Sequence, residues 1–300
     1  MDEYLWNGRI AVGIDGSPES RTAALWAAGE ARERKCGLTL VHAVLPPVGS
    51  SPFIAGLPSG LNPMEEVRQG ALTELDEIAS TLTCADVQTR IEVGSPSGIM
   101  IGASETAAMV VVGSRGQGGF TRLLLGSVST QVATHSACPV IVIRSLPDPS
   151  AKTVVVGMDG TPGSSAAIRF AFDMASLHGW RLIAVHAWEV PAYDLLVVPS
   201  VGTSMPLRDS ADDEARLTAE ALAGFQTDYP DVVVEQSLVR SSARNALLEA
   251  SASAALVVVG TRSHGQVMST VLGSVSHAVL HHAQTPVAIV SGHQSATVAP

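Results

Sequence analysis

Two stretches of this chain occur twice, each at an equivalent place in the other half. Residues 12–18 (VGIDGSP) return as residues 156–162 (VGMDGTP), with five of the seven positions identical. Residues 125–129 (LGSVS) return unchanged as residues 272–276. Repetition of this kind indicates that the chain contains two copies of one structural unit. Any site built from these stretches is expected twice, so each copy tests the interpretation of the other.

The length and composition suit two globular domains of ordinary size. The chain has 300 residues, of which 46% are hydrophobic and 15% are charged, a balance that argues against disorder. Residues 145–151, which include two prolines, interrupt the periodic pattern near the middle of the chain. We therefore place the domains at residues 1–146 and 147–300.

Charge and hydropathy argue against several classes of partner. The net charge is -10 and the only lysines are Lys35 and Lys152, so no nucleic acid partner is expected. No apolar run reaches the roughly 18 residues of a membrane span, and the first residues lack the pattern of a secretory signal. The three cysteines form no CxxC motif, which fits a reducing compartment. These features predict a cytoplasmic protein with no membrane partner.

Short apolar runs alternate with amphipathic segments in both halves, which indicates buried parallel strands joined by helices. Strands are predicted at residues 9–14, 38–44, 87–93, 109–113 and 139–143, and again at residues 153–158, 181–187, 232–238, 256–260 and 286–290. Helices of the first half are predicted at residues 17–35, 64–82, 97–106 and 127–136. Ser17 and Thr161 are the predicted caps of the helix that follows the first strand of each copy. The predicted fold is α/β, with two tandem doubly wound, Rossmann-like domains, each a five-stranded parallel sheet of order 3-2-1-4-5 flanked by helices.

The loop after the fourth strand has the features of an anion site. Residues 113–116 (GSRG) are followed, after nine residues, by Gly126 and Ser127. Glycines let backbone amides approach an anion closely, and the residues after Gly126 open a helix whose free amides and dipole attract negative charge. Arg115 adds a cation and Ser127 adds a hydroxyl group. Together these parts are suited to a polyphosphate.

Sheet topology brings this loop close to the first repeated stretch. With the order 3-2-1-4-5, the first and fourth strands are neighbours, and ligands bind in the crevice between their carboxyl ends. Asp15 would face this crevice, where a carboxylate suits a ribose hydroxyl or a metal ion held by phosphate oxygens. Main-chain groups around Ala43, at the end of the second strand, would meet an adenine edge. The alternative for Asp15 is a role in capping the next helix.

At these residues the chain resembles the universal stress protein family, in its tandem form with two domains in one polypeptide. Nucleotide-binding members carry Gly-x-x-Gly, nine residues and Gly-Ser/Thr, together with an Asp at the end of the first strand. The resemblance covers about residues 9–144 and 152–291. It implies that ATP binds at the crevice of each copy, with Mg²⁺ held by the phosphates and by Asp15 or Asp159.

The resemblance and the loop argument together assign one nucleotide site to each copy. The first site comprises Gly13, Asp15, Ala43, Gly113, Ser114, Arg115, Gly116, Gly118, Gly119, Gly126, Ser127 and Val128. The second comprises Gly157, Asp159, Ala187, Gly260, Thr261, Arg262, Gly265, Gly273, Ser274, Val275 and Ser276.

The second copy has Ser263 in the place of Gly116. A left-handed turn there would cost a residue with a side chain about 1–2 kcal/mol, so weaker binding is expected in the second site. Gly265, two residues further on, is available to take over the turn.

The resemblance also bears on assembly. In such families the fifth strands of two domains pair, and residues 140–143 (VIVI) are too apolar to form an exposed sheet edge. We therefore expect the two halves to dock through their fifth strands. A homodimer of whole chains is a further expectation, because twofold pairs are the commonest assemblies.

The expected chemistry is binding and not turnover. No nucleophile–base pair or metal cluster accompanies the phosphate loop, and no Walker A lysine precedes either Gly-Ser pair. We interpret His42 and His186 as core residues, and His277, His281 and His282 as a solvated helix face.

We therefore expect an ATP-binding, nucleotide-dependent regulator of stress response or growth, acting through a protein partner, with at most slow hydrolysis. Two alternatives stay open: an ATPase or other adenine-nucleotide enzyme, and an interaction module that binds no nucleotide.

Overall fold

A computed structural model describes residues 6–45, 63–84, 86–117, 125–159, 164–188, 210–261 and 272–291. The first half contains β1 (Ile10–Ile14), α1 (Pro18–Arg34), β2 (Leu38–Val44), α2 (Pro63–Thr81), β3 (Val87–Val93), α3 (Pro96–Ala103), β4 (Met109–Gly113), α4 (Ser127–His135) and β5 (Val140–Ile143). The second half contains β6 (Thr153–Met158), α5 (Ser165–His178), β7 (Arg181–Ala187), α6 (Ser210–Asp228), β8 (Val234–Val239), α7 (Ala243–Ser251), β9 (Leu256–Gly260), α8 (Ser274–His282) and β10 (Val287–Val290). The predicted alternation of strands and helices is confirmed, although α3 ends three residues earlier than expected.

The start of the helix after the first strand differs between the halves. In α1, the Ser17 side chain accepts a hydrogen bond of 3.1 Å from the Ser20 amide, so the predicted cap is confirmed. In the second half, the described part of α5 begins at Ser165 and its N-cap is Ser164. Thr161 itself lies outside the described residues.

The strands form one ten-stranded sheet of order β3-β2-β1-β4-β5-β10-β9-β6-β7-β8. Within each half all pairings are parallel and follow the predicted order 3-2-1-4-5. The halves meet where β5 and β10 pair in antiparallel fashion, with Ile141 opposite Ala288. The expectation that the fifth strands dock the halves is therefore confirmed. Among the described helices, none combines the length and apolar character needed to cross a membrane.

Two apolar clusters, one on each face of the sheet, form the core. The first cluster packs α1, α2, α5 and α6 against the alternate strand residues that include Ile10, Val12 and Ile14. The second packs α3, α4, α7 and α8 against residues such as Ala11 and Val110. Because α1 and α4 lie on opposite faces while β1 and β4 are neighbours, a crevice opens at the carboxyl ends of these two strands.

A buried carboxylate also joins the two halves. Glu30, on α1, is only 3% exposed and pairs with Arg34 on the same helix. His178 Nε2, at the end of α5, lies 2.9 Å from the other carboxylate oxygen of Glu30. Burial alone would raise the pKa of the Glu30 carboxyl, but the hydrogen bond with His178 and the charge of Arg34 bring it below its ordinary value. The carboxylate is therefore stabilised in its charged form at the contact between α1 and α5.

The pairing of β5 with β10 gives a first testable prediction. Substitution Ile141→Glu places a charge at a fully buried position opposite Ala288. We expect a loss of about 3–5 kcal/mol in the free energy of unfolding, measured by thermal and denaturant melting. Leu25→Glu, at a position that is 48% exposed, is the matched control and is expected to change stability by less than about 0.5 kcal/mol. Equal melts for the two variants would contradict this assignment.

The Glu30 contact predicts a pH-dependent stability. Glu30→Gln leaves Arg34 and His178 without their carboxylate, so we expect a loss of about 2–4 kcal/mol near neutral pH. Because the folded-state pKa of Glu30 is lowered, its contribution is complete above the ordinary value of 4.5 and is lost as the pH falls through the folded-state value. Melting curves from pH 3 to 7 should therefore converge for wild type and variant at the acidic end. Glu33→Gln, on the exposed side of α1, should follow the wild type throughout.

Candidate functional site

The second half contains an open cleft at the carboxyl ends of β6 and β9. Six residues that the sequence assigned to the second site line it together: Gly157, Asp159, Ala187, Gly260, Val275 and Ser276. Its walls also include residues that sequence reasoning missed, namely Met158, Ser164, Val185, Ala243, Leu247 and Val259. The cleft lies at the crevice that the strand order predicts.

The base of the fourth-strand loop is built in the same way in both halves. Three hydrogen bonds recur: one from the first loop amide to the end of the fifth strand, one across the loop, and one from a helix serine to the last carbonyl of the fourth strand. They are Ser114 N to Ile143 O (2.7 Å), Gly126 N to Ser114 O (2.8 Å) and Ser129 Oγ to Gly113 O (2.7 Å) in the first half, and Thr261 N to Val290 O (3.0 Å), Gly273 N to Thr261 O (3.0 Å) and Ser276 Oγ to Gly260 O (2.5 Å) in the second.

These bonds give a structural reason for the glycine and the last serine of the second repeated stretch. Ser129 and Ser276 use their hydroxyl groups to fix the start of the helix to the strand, so Ser276 has a structural bond in addition to its place in the cleft wall. Sequence reasoning missed Ser129, although its presence in both copies of the stretch was the available signal.

The helix starts above this base leave backbone amides available. Gly126 and Gly273 are the N-caps of α4 and α8, both in extended conformation and neither with a side-chain cap. The next residues, Ser127 and Ser274, are exposed. First-turn amides without a capping side chain, together with the helix dipole, favour an anion.

Asp15 joins the two repeated loops of the first half. One carboxylate oxygen accepts hydrogen bonds from the amide and hydroxyl of Ser17, at 3.1 and 2.6 Å. The other accepts a bond of 3.0 Å from the Gln117 amide, in the loop after β4. The helix cap belongs to Ser17, so the alternative in which Asp15 itself caps α1 is wrong. Asp15 is half-buried at the crevice and organises both loops there.

The glycine requirement at Gly116 has a different cause from the one expected. Among the described glycines, the left-handed ones are Gly8, Gly16, Gly94 and Gly179, so the expected left-handed turn at Gly116 is wrong. A β-carbon at Gly116 would instead lie 2.2 Å from an Asp15 carboxylate oxygen. The steric limit at this position is therefore the approach of Asp15.

The left-handed residue of the first site is Gly16, with φ of +82°. A β-carbon there would meet the Gln117 side-chain amide at 2.4 Å and a Glu74 carboxylate oxygen at 2.6 Å. Gly16 therefore allows the turn after β1 to approach both the fourth-strand loop and α2.

The expected cation of the first site already has a partner. Arg115 Nη2 lies 2.8 Å from a Glu19 carboxylate oxygen, and its Nε donates to the same oxygen at 3.1 Å. Glu19 is in the first turn of α1 and was missed in the sequence. Arg115 thus stands beside the crevice, but an incoming anion would have to compete with Glu19.

Other predicted residues of the first site support the loops. A β-carbon at Gly113 would lie 2.8 Å from the Glu19 backbone, so Gly113 lets α1 approach the end of β4. Gly13 packs beside Val112 and Met100, and Ala43 lies at the end of β2 opposite Glu92. Val128 follows Ser127 in the first turn of α4.

Gly118, Gly119, Arg262, Ser263 and Gly265 lie outside the described residues.

The histidines take different roles in the two halves. His186 is buried, with Nδ1 3.1 Å from the Met158 carbonyl and Nε2 2.7 Å from Glu214, so its interpretation as a satisfied core residue is confirmed. For His42 this interpretation is wrong, because its buried Nδ1 has no hydrogen-bond partner in the described part of the chain. The rings of His277 and His281 stack at 4.2 Å on α8. Within the described ranges, no group of three or more His, Cys, Asp or Glu side chains is arranged to hold a metal ion.

Comparison with known proteins places this geometry in a family. The sequence model of the universal stress protein family matches residues 7–144 and 150–291. The universal stress protein Rv2005c of Mycobacterium tuberculosis is 41% identical over 290 residues, covering 93% of this chain and 96% of the relative. A universal stress protein of Mycolicibacterium smegmatis is 37% identical over 289 residues, covering 94% and 96%. The crystal structure of a universal stress protein from Archaeoglobus fulgidus is similar in fold, with a TM-score of 0.68 and 20% identity, covering 95% of this chain and 98% of that one.

The contact between Gly116 and Asp15 gives a prediction for this site. Gly116→Ala would force its β-carbon against the Asp15 carboxylate, which has to move and release the Gln117 amide. We expect a loss of about 1–3 kcal/mol in stability and faster hydrogen exchange at the Gln117 amide. Gly29→Ala, in α1 with no atom within 4 Å of the added carbon, is the control and should be neutral or slightly stabilising. Unchanged protection of Gln117 in Gly116→Ala would show that this contact does not restrain the loop.

Proposed function

The chain belongs to the universal stress protein family, and from its two crevices we propose that it binds ATP, together with Mg²⁺, as a nucleotide-dependent regulator of stress response or growth. The observation that carries this proposal is the duplicated anion loop beside an aspartate. Each half presents an uncapped helix start, a Gly-Ser pair and a serine-clamped loop base next to Asp15 or Asp159. Both copies of the duplicated unit keep this arrangement, which supports a role for it beyond turn formation.

Different residues of each crevice would contact the phosphates, the ribose and the adenine of the nucleotide. The phosphates would accept hydrogen bonds from the first-turn amides and hydroxyls of α4 and α8, where backbone dipoles favour negative charge. Asp15 and Asp159 would face the ribose hydroxyls or a magnesium ion carried by the phosphates. Adenine would lie at the ends of β2 and β7, near Ala43 and Ala187, and Ala187 already lines the second cleft. Magnesium would supply charge neutralisation between the phosphate oxygens and these carboxylates.

The first site is preorganised around Asp15. Its carboxylate already holds the Ser17 and Gln117 amides, so the two loops that would surround a nucleotide are in place. A ligand hydroxyl or cation would share these oxygens, because each carboxylate oxygen can accept more than one bond. The arrangement favours binding with little movement of the strand ends.

We propose binding coupled to protein contacts rather than turnover. Both ring nitrogens of His186, next to the cleft residue Ala187, are engaged by Met158 and Glu214, so this histidine is not placed to accept a substrate proton. Arg115 is held by Glu19. The proposal includes a cytoplasmic location, two domains at residues 1–146 and 147–300, and a homodimer whose contacts to a regulatory partner depend on the bound nucleotide.

Calorimetric titration with ATP, with and without Mg²⁺, tests the proposal. The wild type is expected to bind up to two ATP molecules per chain, and Asp15→Ala should weaken one of the two sites about tenfold, since a hydrogen bond to a charged group is lost. Asp76→Ala, on the exposed side of α2, makes the same charge change and should leave both sites unaltered.

Phosphate release measured in the same samples separates a regulator from an enzyme. Turnover above about 1 per second would favour the ATPase alternative. Absence of ATP binding at millimolar concentration, with no nucleotide mass on gently purified protein, would favour the interaction module and defeat the proposal.

A further inference from the structure

A second cavity lies at the junction between the halves, away from the crevice of its own half. It has a volume of about 550 Å³ and is bordered by residues 145–148 and 150–152 of the linker, Thr153 and Arg181 at the starts of β6 and β7, residues 251–254 from the end of α7 onward, and residues 284–285 before β10. We call it the linker cavity. Its borders lie at the amino ends of β6, β7 and β10, whereas the second crevice lies at carboxyl ends. Its volume is in the range of small-molecule sites, about 300–1,000 Å³.

The internal duplication shows what fills the equivalent space in the first half. Counted from the paired repeats, Ser150 corresponds to Trp6, and residues 251–254 correspond to residues 104–107. Trp6 is 3% exposed and belongs to the same buried cluster as Ala107 and Cys138, and Cys138 corresponds to Thr285 on the border of the cavity. The first half therefore buries an indole ring at the position where the second half has Ser150, an exposed residue on the border of the cavity.

The charges around the linker cavity favour an anionic group. Lys152 borders it and is exposed, and its ammonium group has no hydrogen bond or ion pair within the described part of the chain. Arg181 Nε donates to Thr153 Oγ1 at 2.8 Å, and its guanidinium is 3.8 Å from Glu235. The one acidic residue on the border, Asp148, is turned toward Ser150, whose amide and hydroxyl bind its carboxylate at 2.7 and 2.6 Å. These hydrogen bonds keep Asp148 charged, so the border has one carboxylate against two cations, and the Lys152 ammonium is the charged group there without a partner among the described residues.

We propose that the linker cavity binds a small molecule with a planar ring and one anionic group, carboxylate or phosphate. The ring takes the place that Trp6 holds in the first half, against Ala252 and Ala254, and the anion pairs with Lys152 and Arg181. Such a ligand contacts the linker and the second half at once, so it stabilises the junction between the halves. This site is independent of the ATP crevices, and its failure would leave their assignment unchanged.

The probe that tests this proposal is indole-3-carboxylate, which combines the ring of Trp6 with a carboxylate. For a ligand of this size we expect a dissociation constant of about 1 mM or below by calorimetric titration of the full chain. Lys152→Gln should weaken binding about fivefold or more, whereas Lys35→Gln, at the only other lysine, should not change it. Indole and acetate, tested separately, should each bind more weakly than the probe.

Filling the cavity provides a second, independent variant. Ser150→Trp gives the second half the residue that the first half has at the equivalent position, Trp6. It is expected to abolish probe binding while the fold, checked by circular dichroism, is retained. Equal probe binding by Ser150→Trp and wild type would overturn the location. Equal binding by Lys152→Gln and Lys35→Gln would overturn the anionic contact, and no binding of the probe to the wild type at about 10 mM would overturn the site as a whole.

Discussion

Antiparallel pairing of β5 with β10 is the contact on which the arrangement of the molecule depends. All strands within a half are parallel, so this one antiparallel step turns the second half end for end. The carboxyl ends of the two sets of strands therefore point in opposite directions along the strand axis of the ten-stranded sheet. The two crevices therefore open on opposite sides of the sheet, each where the strands of its own half end. The linker runs from the end of β5 to the start of β6 and lies on the same side as the first crevice. Apolar residues such as Ile141 can occupy β5 because the pairing makes it an inner strand.

Much of the fold could be predicted because its signals are local. Strands such as β4 are short, fully apolar runs, and the Pro18 turn and Ser17 cap mark the start of α1 within a few residues. The strand order is that of a doubly wound sheet, and the family resemblance implied its five parallel strands. The Thr161 cap of the second copy stays a prediction, because residues 160–163 lie outside the described part of the chain.

Contacts between distant segments could not be predicted in the same way. The sequence singled out Gly116 but not the reason that a glycine is needed there. The Asp15 carboxylate leaves no room for a side chain at this position, and it comes from a strand end about a hundred residues earlier. Glu30 carries no sequence signal that sets it apart from the other acidic residues of α1. It is buried only because α5 packs on α1 and brings His178 to it. Such pairings depend on tertiary packing, which periodicity within one element does not encode.

The two crevices have the same hydrogen-bonded loop after the fourth strand but differ in the charged residues beside it, and this difference bears on the proposed nucleotide binding. In the first half, Glu19 holds Arg115, and Glu74 lies beside Gly16 and pairs with Arg21. The phosphates of the proposed nucleotide would have to replace Glu19 as the partner of Arg115, and a magnesium ion would lower their repulsion with these carboxylates. The positions of Glu19 and Glu74 are Gly163 and Ala221 in the second copy, so its sequence offers no equivalent competition. The strain argument against Ser263 has also lost its basis, because Gly116 is not left-handed. The contact between Gly116 and Asp15 gives another reason for a glycine at this position, and the second copy lacks that glycine. The two proposed sites therefore differ in opposing ways, through the carboxylates beside the first crevice and the serine at position 263 of the second.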